Sequence, residues 1–240
     1  QKTAYEIPKR DWSSDVCSSD LKNLPYHVVR DFQPVARLTD APNILAVHPS
    51  LPARSVRELL ALARARPGEI LYASAGAGTS THLAAVLFEY LGRVKFVHVP
   101  YKGGGPAMID VVAGQVPLTF ATAASVSPHT KSGRLRGLGI TGAERSTQLP
   151  ELPTIAESGV PGYAMLNWLG LFAPSGTPRA IVDRLAVESL RIVRAADARE
   201  RLNAQGAEAA PLATDEFTAF VRSEVDKWAK VVTATGMTAQ

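Results

Sequence analysis

The stretch YASAGAGTSTHLAA, Tyr72–Ala85, reads as the end of a strand running through a glycine-rich turn into a helix. Gly76 and Gly78 let backbone N–H groups come close to a ligand, and Thr79, Ser80 and Thr81 add hydroxyls where the helix begins. First-turn amides lack intrahelical partners and the helix dipole is positive there, so such a turn attracts anions. A phosphate-cradling P-loop would need lysine after Gly78, where Thr79 stands. A dinucleotide fingerprint would need a third glycine at Thr81, and a nucleophile elbow centred on Ser74 would need glycine at Tyr72. Two readings stay open from these letters: a general anion loop, or a helix cap whose glycines serve only the turn.

Outward from this turn the chain alternates short apolar runs with helical patterns, which predicts βαβ units and a largely parallel sheet. Ile44–His48 is a β-branched run ended by Pro49. Ser55 and Glu58 form a capping box for a helix whose apolar face carries Val56, Leu59, Leu60 and Ala63, stopped by Pro67-Gly68. The spacing predicts strands at Ile70–Ser74, Phe96–Val99, Pro117–Thr122 and Arg136–Thr141, with a helix over Thr81–Leu91. A second glycine turn, PYKGGGPAM at Pro100–Met108, again joins a strand end to a helix, the edge of an α/β sheet where ligands sit. Lys102 reads there either as a second anion contact or as an exposed lysine on a flexible turn. Near the C-terminus, Thr177 caps a helix opened by Pro178. Phe217, Phe220, Val221, Val225, Trp228 and Val232 mark one face of a second helix, a core face by composition. His82 reads as a structural histidine bonded to the loop, and Asp110 as a locally paired acid. No carboxylate pair, metal cluster or catalytic triad stands at interpretable spacing.

With 240 residues, 46% of them hydrophobic, the chain can bury one large core or two smaller ones. No apolar run reaches the length of a membrane span, and Gln1–Lys9 lacks the pattern of a signal peptide. Either the chain is cytoplasmic or its beginning is missing. The formal charge of +4 is not gathered into a basic stripe with aromatics, which argues against nucleic acid as a partner. Cys17 is the single cysteine and has no zinc-ligand spacing around it.

Cys17 lies in RDWSSDVCSSDL, Arg10–Leu21, which matches neither the periodicity nor the composition around it. Asp11–Asp20 can be written GAC TGG AGT TCA GAC GTG TGC TCT TCC GAT, the bases of a widely used short-read sequencing adaptor. The expectation is that Arg10–Leu21 is translated adaptor, that Gln1–Lys9 is of foreign origin too, and that authentic sequence begins near Lys22.

Several stretches in order carry a family resemblance: LPYHVVRDFQPVARL, NILAVHPSLPARSVRELLALARARPG, ASAGAGTSTHLAAVLF, VHVPYKGGGPAMIDVVAGQVPLTF, LPTIAESGVPGY and NWLGLFAPSGTPRAIVDRL. From Leu24 to about Gly236 the chain resembles the Bug family of extracytoplasmic solute receptors, the TctC-like substrate-binding components of tripartite tricarboxylate transporters. The resemblance implies a type II periplasmic binding protein fold: two α/β lobes with mixed sheets flanked by helices, the first lobe incomplete here. It implies crossovers at Ile44–His48 and Gly170–Ala173, lobe 1 from 22–47 and 171–240, and lobe 2 from 48–170, following the segment 1–21 that the codon reading marks as non-native. Ser74, Gly76, Gly78, Thr79 and Ser80 would hold a ligand carboxylate through amides and hydroxyls, partly via water, with Tyr101, Lys102 and Gly103 nearby. Phe120, Ala121 and Thr122 would line the cleft wall. Pro117 stands where many relatives carry aspartate, and Ala121 where a polar residue is common.

The implied protein is a periplasmic receptor that binds a small organic carboxylate, a di- or tricarboxylate or similar acid, and delivers it to the membrane subunits of the transporter. It would be a monomer, not an enzyme, with no cofactor, no metal, no nucleic-acid partner and no membrane insertion of its own. A signal peptide is expected in the intact gene. Two other classes stay open: an α/β enzyme acting on an anionic substrate through the same loop, and the ligand-sensing half of a transcription regulator.

Overall fold

The computed structural model describes residues 26–236. The expectations placed on Gln1–Lys9 and on the adaptor-like Arg10–Leu21 lie outside those residues. A single helical turn, α1 (Val28–Asp31), leads into a strand of 16 residues, β1 (Phe32–Val47). The sequence pointed to a strand only from Ile44, because Pro34 and Pro42 each remove an amide donor. The structure accommodates Pro34 beside a register shift and Pro42 at the point where the strand changes partners.

That change of partners organises the molecule. Phe32–Pro42 pair antiparallel with β6 (Leu166–Pro174), and Arg37–Asp40 also meet β7 (Glu208–Leu212). Asn43–Val47 pair instead with β4 (Leu118–Thr122) and β5 (Arg136–Ile140), again antiparallel. One strand thus runs through two sheets, switching at Pro42/Asn43, just before the expected crossover at Ile44. The second sheet continues through β2 (Leu71–Ser74) to β3 (Val97–Pro100), both parallel, with β2 also parallel to β4. A largely parallel sheet was the pattern-based expectation; the sheet is mixed, because β1 enters it antiparallel between β4 and β5.

Ile44–Val47 are all buried, and alternation sends their side chains to opposite faces. Leu45 and Val47 join the core with α2 (Val56–Ala65) and α3 (Ser80–Gly92), while Ile44 and Ala46 join the core with α4 (Gly104–Val112) and α5 (Ala123–Lys131). The face expected for α2 is the one buried: Val56, Leu59, Leu60 and Ala63, with the Glu58 amide bonded to Ser55 Oγ at 3.2 Å. The first sheet lies between α6 (Arg179–Arg194) and α8 (Thr214–Thr235), with α7 (Ala196–Ala204) leading back to β7. Helix α6 starts one residue later than expected: Pro178 is its cap, and the Thr177 hydroxyl bonds back to Pro174 O at 2.8 Å. Helix α8 spans both units, with Phe217 and Val221 against the first sheet and Val231 and Trp228 against the second unit's core. Val225, expected on that face, is largely exposed. Among the described residues no helix is long and apolar enough to cross a membrane.

Candidate functional site

Strands β2, β3 and β4 run parallel, so the N-termini of α3, α4 and α5 all gather at one sheet edge. Each presents amides that cannot be bonded within its helix. The turns after β2 and β3 are joined by backbone hydrogen bonds: Tyr101 N–H donates to Ser74 O and Gly103 N–H to Ala75 O, both at 3.0 Å. Gly76 (φ +136°) packs so near that a Cβ there would sit 3.2 Å from Tyr101 O. The structure therefore brings Ser74, Gly76, Gly78, Thr79, Ser80, Tyr101, Lys102 and Gly103 onto one edge. Thr122 joins them at the end of β4, its hydroxyl 3.0 Å from Ser125 Oγ.

Within the first turn most polar atoms are already engaged. The Ala75 amide donates to Thr81 Oγ1 at 2.8 Å, Thr81 Oγ1 lies 2.9 Å from Thr79 Oγ1, and the Thr79 hydroxyl donates to Gly76 O at 2.7 Å. Gly76 N–H donates to Ser74 Oγ at 3.1 Å, and Gly78 N–H to His82 Nδ1 at 3.0 Å. Ser74 Oγ is also 2.6 Å from His98 Nε2. Among the described residues the amides of Ala77, Ser80, Thr81 and His82, and the Ser80 hydroxyl, have no hydrogen-bond partner outside α3. The hydroxyls of Ser74 and Thr79 thus shape the loop, and the open donors are those beside them.

Burial, reinforced by neighbouring His98, holds the His82 imidazole down at about 4, and burial lowers His98 in the same direction. Tyr101 Oη donates to Asp110 Oδ2 at 2.6 Å, and that bond pushes the phenol up to about 12. Asp110 is thus paired locally, as the sequence suggested. Lys102 is exposed, on the turn after β3 that is bonded to the loop through Gly103 N–H. Phe120 is buried in the core rather than on a wall, while Ala121 is half-buried.

Sequence reasoning missed His98, Ser125 and the start of α5. The turn after β4 contains no glycine to mark it, so only the parallel pairing Tyr72↔Leu118 and Ala73↔Thr119 reveals that it shares the edge. A cavity of about 470 Å³ lies elsewhere, at the junction of the two sheets, lined by Arg37, Asp40, Trp168, Glu208, Phe220 and Lys227 among others. Arg37 pairs there with Asp40 and Lys227 with Glu224, and Ser146 Oγ donates to Glu208. The loop edge is the place where open donors gather.

A sequence profile described as "Tripartite tricarboxylate transporter family receptor" matches residues 12–237. A UPF0065 protein in the tcbD-tcbE intergenic region of Pseudomonas sp. (strain P51) is 40% identical over 210 residues, which are 87% of this chain and 62% of that protein. The chain thus spans somewhat under two thirds of this relative's length. Among solved structures, R. palustris Rpa4515 with adipate is 35% identical with a TM-score of 0.77, covering 90% of this chain and 73% of that one. MatC (Rpa3494) from Rhodopseudomonas palustris with bound malate is 31% identical with a TM-score of 0.73, covering 91% and 75%.

Proposed function

The chain belongs to the tripartite tricarboxylate transporter receptor family, and from that premise we propose that it is part of a periplasmic receptor for a small organic carboxylate. The observation that carries this reading is the cluster of open amides at one sheet edge, where three helix N-termini meet. Ser74, Gly76, Gly78, Thr79 and Ser80 form the loop that takes one carboxylate group, with the Ser80 hydroxyl and the first-turn amides as donors. Tyr101, Lys102, Gly103 and Thr122 border it. Water bridges to these donors would let one scaffold take several acids, since a bridged contact adapts at little loss. Relatives with bound adipate and malate support a dicarboxylate as the ligand class.

The reading includes two lobes that move about the connecting strands, expected at 22–47 with 171–240 and at 48–170; strand pairing supports boundaries moved to Pro42/Asn43 and to the start of β6 at Leu166. The partner switch of β1 at Pro42/Asn43 and the start of β6 at Leu166 support such a hinge. Delivery to the membrane subunits of a tripartite transporter completes the proposal, and no chemical step is needed. Calorimetric titration of the full chain with adipate, malate and the uncharged diamide of adipate tests it. Saturable one-site binding of a diacid, none of the diamide and recovery of the acid unchanged are the expected results. Failure of both diacids to bind would overturn the ligand class.

A further inference from the structure

His82 and His98 stand on different elements, yet their imidazoles stack with centroids 4.1 Å apart and planes 5° from parallel. His98 also stacks on Tyr72, its direct neighbour in the β2–β3 ladder, at 4.9 Å and 15°. Each imidazole reaches a different end of the anion loop. His98 Nε2 meets Ser74 Oγ, which in turn accepts the Gly76 amide, and His82 Nδ1 accepts the Gly78 amide. The loop's two glycines, both at positive φ, are thereby tied to one stack of rings.

We infer that His82 and His98 form a positioning clamp that pins both ends of the loop, and that carboxylate affinity depends on the acceptor His82 Nδ1 offers to Gly78. The proposal rests on the receptor reading for its ligand and on geometry for its mechanism. Gly78 lies between Ala77 and Ser80, whose amides are open, so rotation of its peptide would misdirect the donors on either side. A loop already held in its binding conformation loses less freedom on binding. The clamp works only with neutral His82, because an imidazolium has no lone pair to accept with. Burial, which holds this ring down at about 4, keeps it neutral at physiological pH.

Three variants of the full chain separate positioning from mere packing. His82→Leu fills the space without an acceptor, and His82→Asn places an amide oxygen, bonded to Cγ as Nδ1 is, where the acceptor stood. His98→Phe keeps the stack but loses the bond to Ser74. Amide exchange at Gly76 and Gly78 is read by NMR, and adipate and malate affinity by calorimetry. His82→Leu is expected to speed exchange at Gly78 and weaken diacid binding by about tenfold or more, with His82→Asn restoring both to within about threefold. His98→Phe is expected to free Gly76 while leaving Gly78 protected. Unchanged Gly78 protection in His82→Leu, or an Asn variant as impaired as Leu at unchanged thermal stability, overturns the clamp. Nitrogen NMR of the unmodified protein gives an independent reading: the His82 proton is expected on Nε2, and a proton on Nδ1 overturns the inference. If neither diacid binds the unmodified chain while Gly78 exchange responds as stated, the receptor reading falls and the clamp stands.

Discussion

Gly170 on β6 lies directly beneath the ring of Phe217 on α8: a Cβ on Gly170 would stand 2.2 Å from Phe217 Cζ and 2.8 Å from Cε1. Phe217 is fully buried and meets Trp168 edge-on, with centroids 5.5 Å apart. The ring has no room to retreat, so Gly170→Ala forces overpacking and is expected to destabilise the chain by about 1–3 kcal/mol. Urea unfolding measures this. The double variant Gly170→Ala with Phe217→Leu is expected to be more stable than the two single losses added together, because the smaller side chain makes room.

Asn43 marks the residue at which β1 changes sheets. Its amide donates to Thr141 Oγ1 at 2.8 Å, its carbonyl accepts from Thr141 N–H at 2.9 Å, and its Oδ1 accepts from Asn167 Nδ2 at 3.2 Å. The side chain is fully buried, and its Nδ2 has no partner. Asn43→Ala removes the acceptor for Asn167 and leaves a cavity where β1 changes sheets, for an expected loss of about 1–3 kcal/mol. Asn43→Asp buries a charge and is expected to cost more at pH 7 than at pH 4. Thermal melts at the two pH values check the ordering.

What was legible in the sequence is what local chemistry decides. Ser55 and Glu58, the α2 face and both glycine turns were readable because capping and apolar spacing act within a few residues. The first twelve residues of β1 were not, since Pro34 and Pro42 argue against a strand until β6 is there to pair with it. The site was half legible for the same reason. Gly76 and Gly78 announce their turn, while His98 is drawn in only by the parallel register Tyr72↔His98, a relation that no local pattern encodes. His82 was foreseen as a loop-bonded histidine; its stacking partner was not.

Several buried groups link stability to pH, and His82 and Asp40 carry large shifts of opposite sign. His82 titrates at about 4 when folded against 6.5 otherwise, so between these values the unfolded chain binds the extra proton and stability falls as pH falls. Asp40 is raised by burial to about 6 from 3.8, so over that window the folded chain holds the extra proton and stability falls as pH rises. Between about pH 4 and 6 the two contributions oppose each other and flatten the profile. Asp40→Asn is expected to expose the His82 slope, up to about 1.4 kcal/mol per pH unit, and His82→Asn the opposite slope. Urea midpoints of the three proteins from pH 4 to 7 measure both. An identical profile for His82→Asn and the unmodified chain would contradict the assignment.

Thr79 closes the relay that runs from the Ala75 amide through Thr81 Oγ1 to Gly76 O. Its side chain does not cap α3, so the helix loses little without it, but Gly76 O loses the shortest of the three bonds it accepts, keeping those from Ser74 Oγ and the Thr79 amide. Thr79→Leu also sets a bulky apolar group beside the open Ser80 amide, which the proposed site offers to a carboxylate. The expected result is diacid affinity lower by about tenfold or more, with a stability loss within the range of about 0.5–2 kcal/mol for a residue at a helix start. Thr79→Ser keeps the hydroxyl and is expected to bind nearly as the unmodified chain does. Calorimetry paired with a thermal melt distinguishes the cases. Leu and Ser variants of equal affinity would remove this loop from the binding site, because the one property separating them is the hydroxyl and the space it leaves for the ligand.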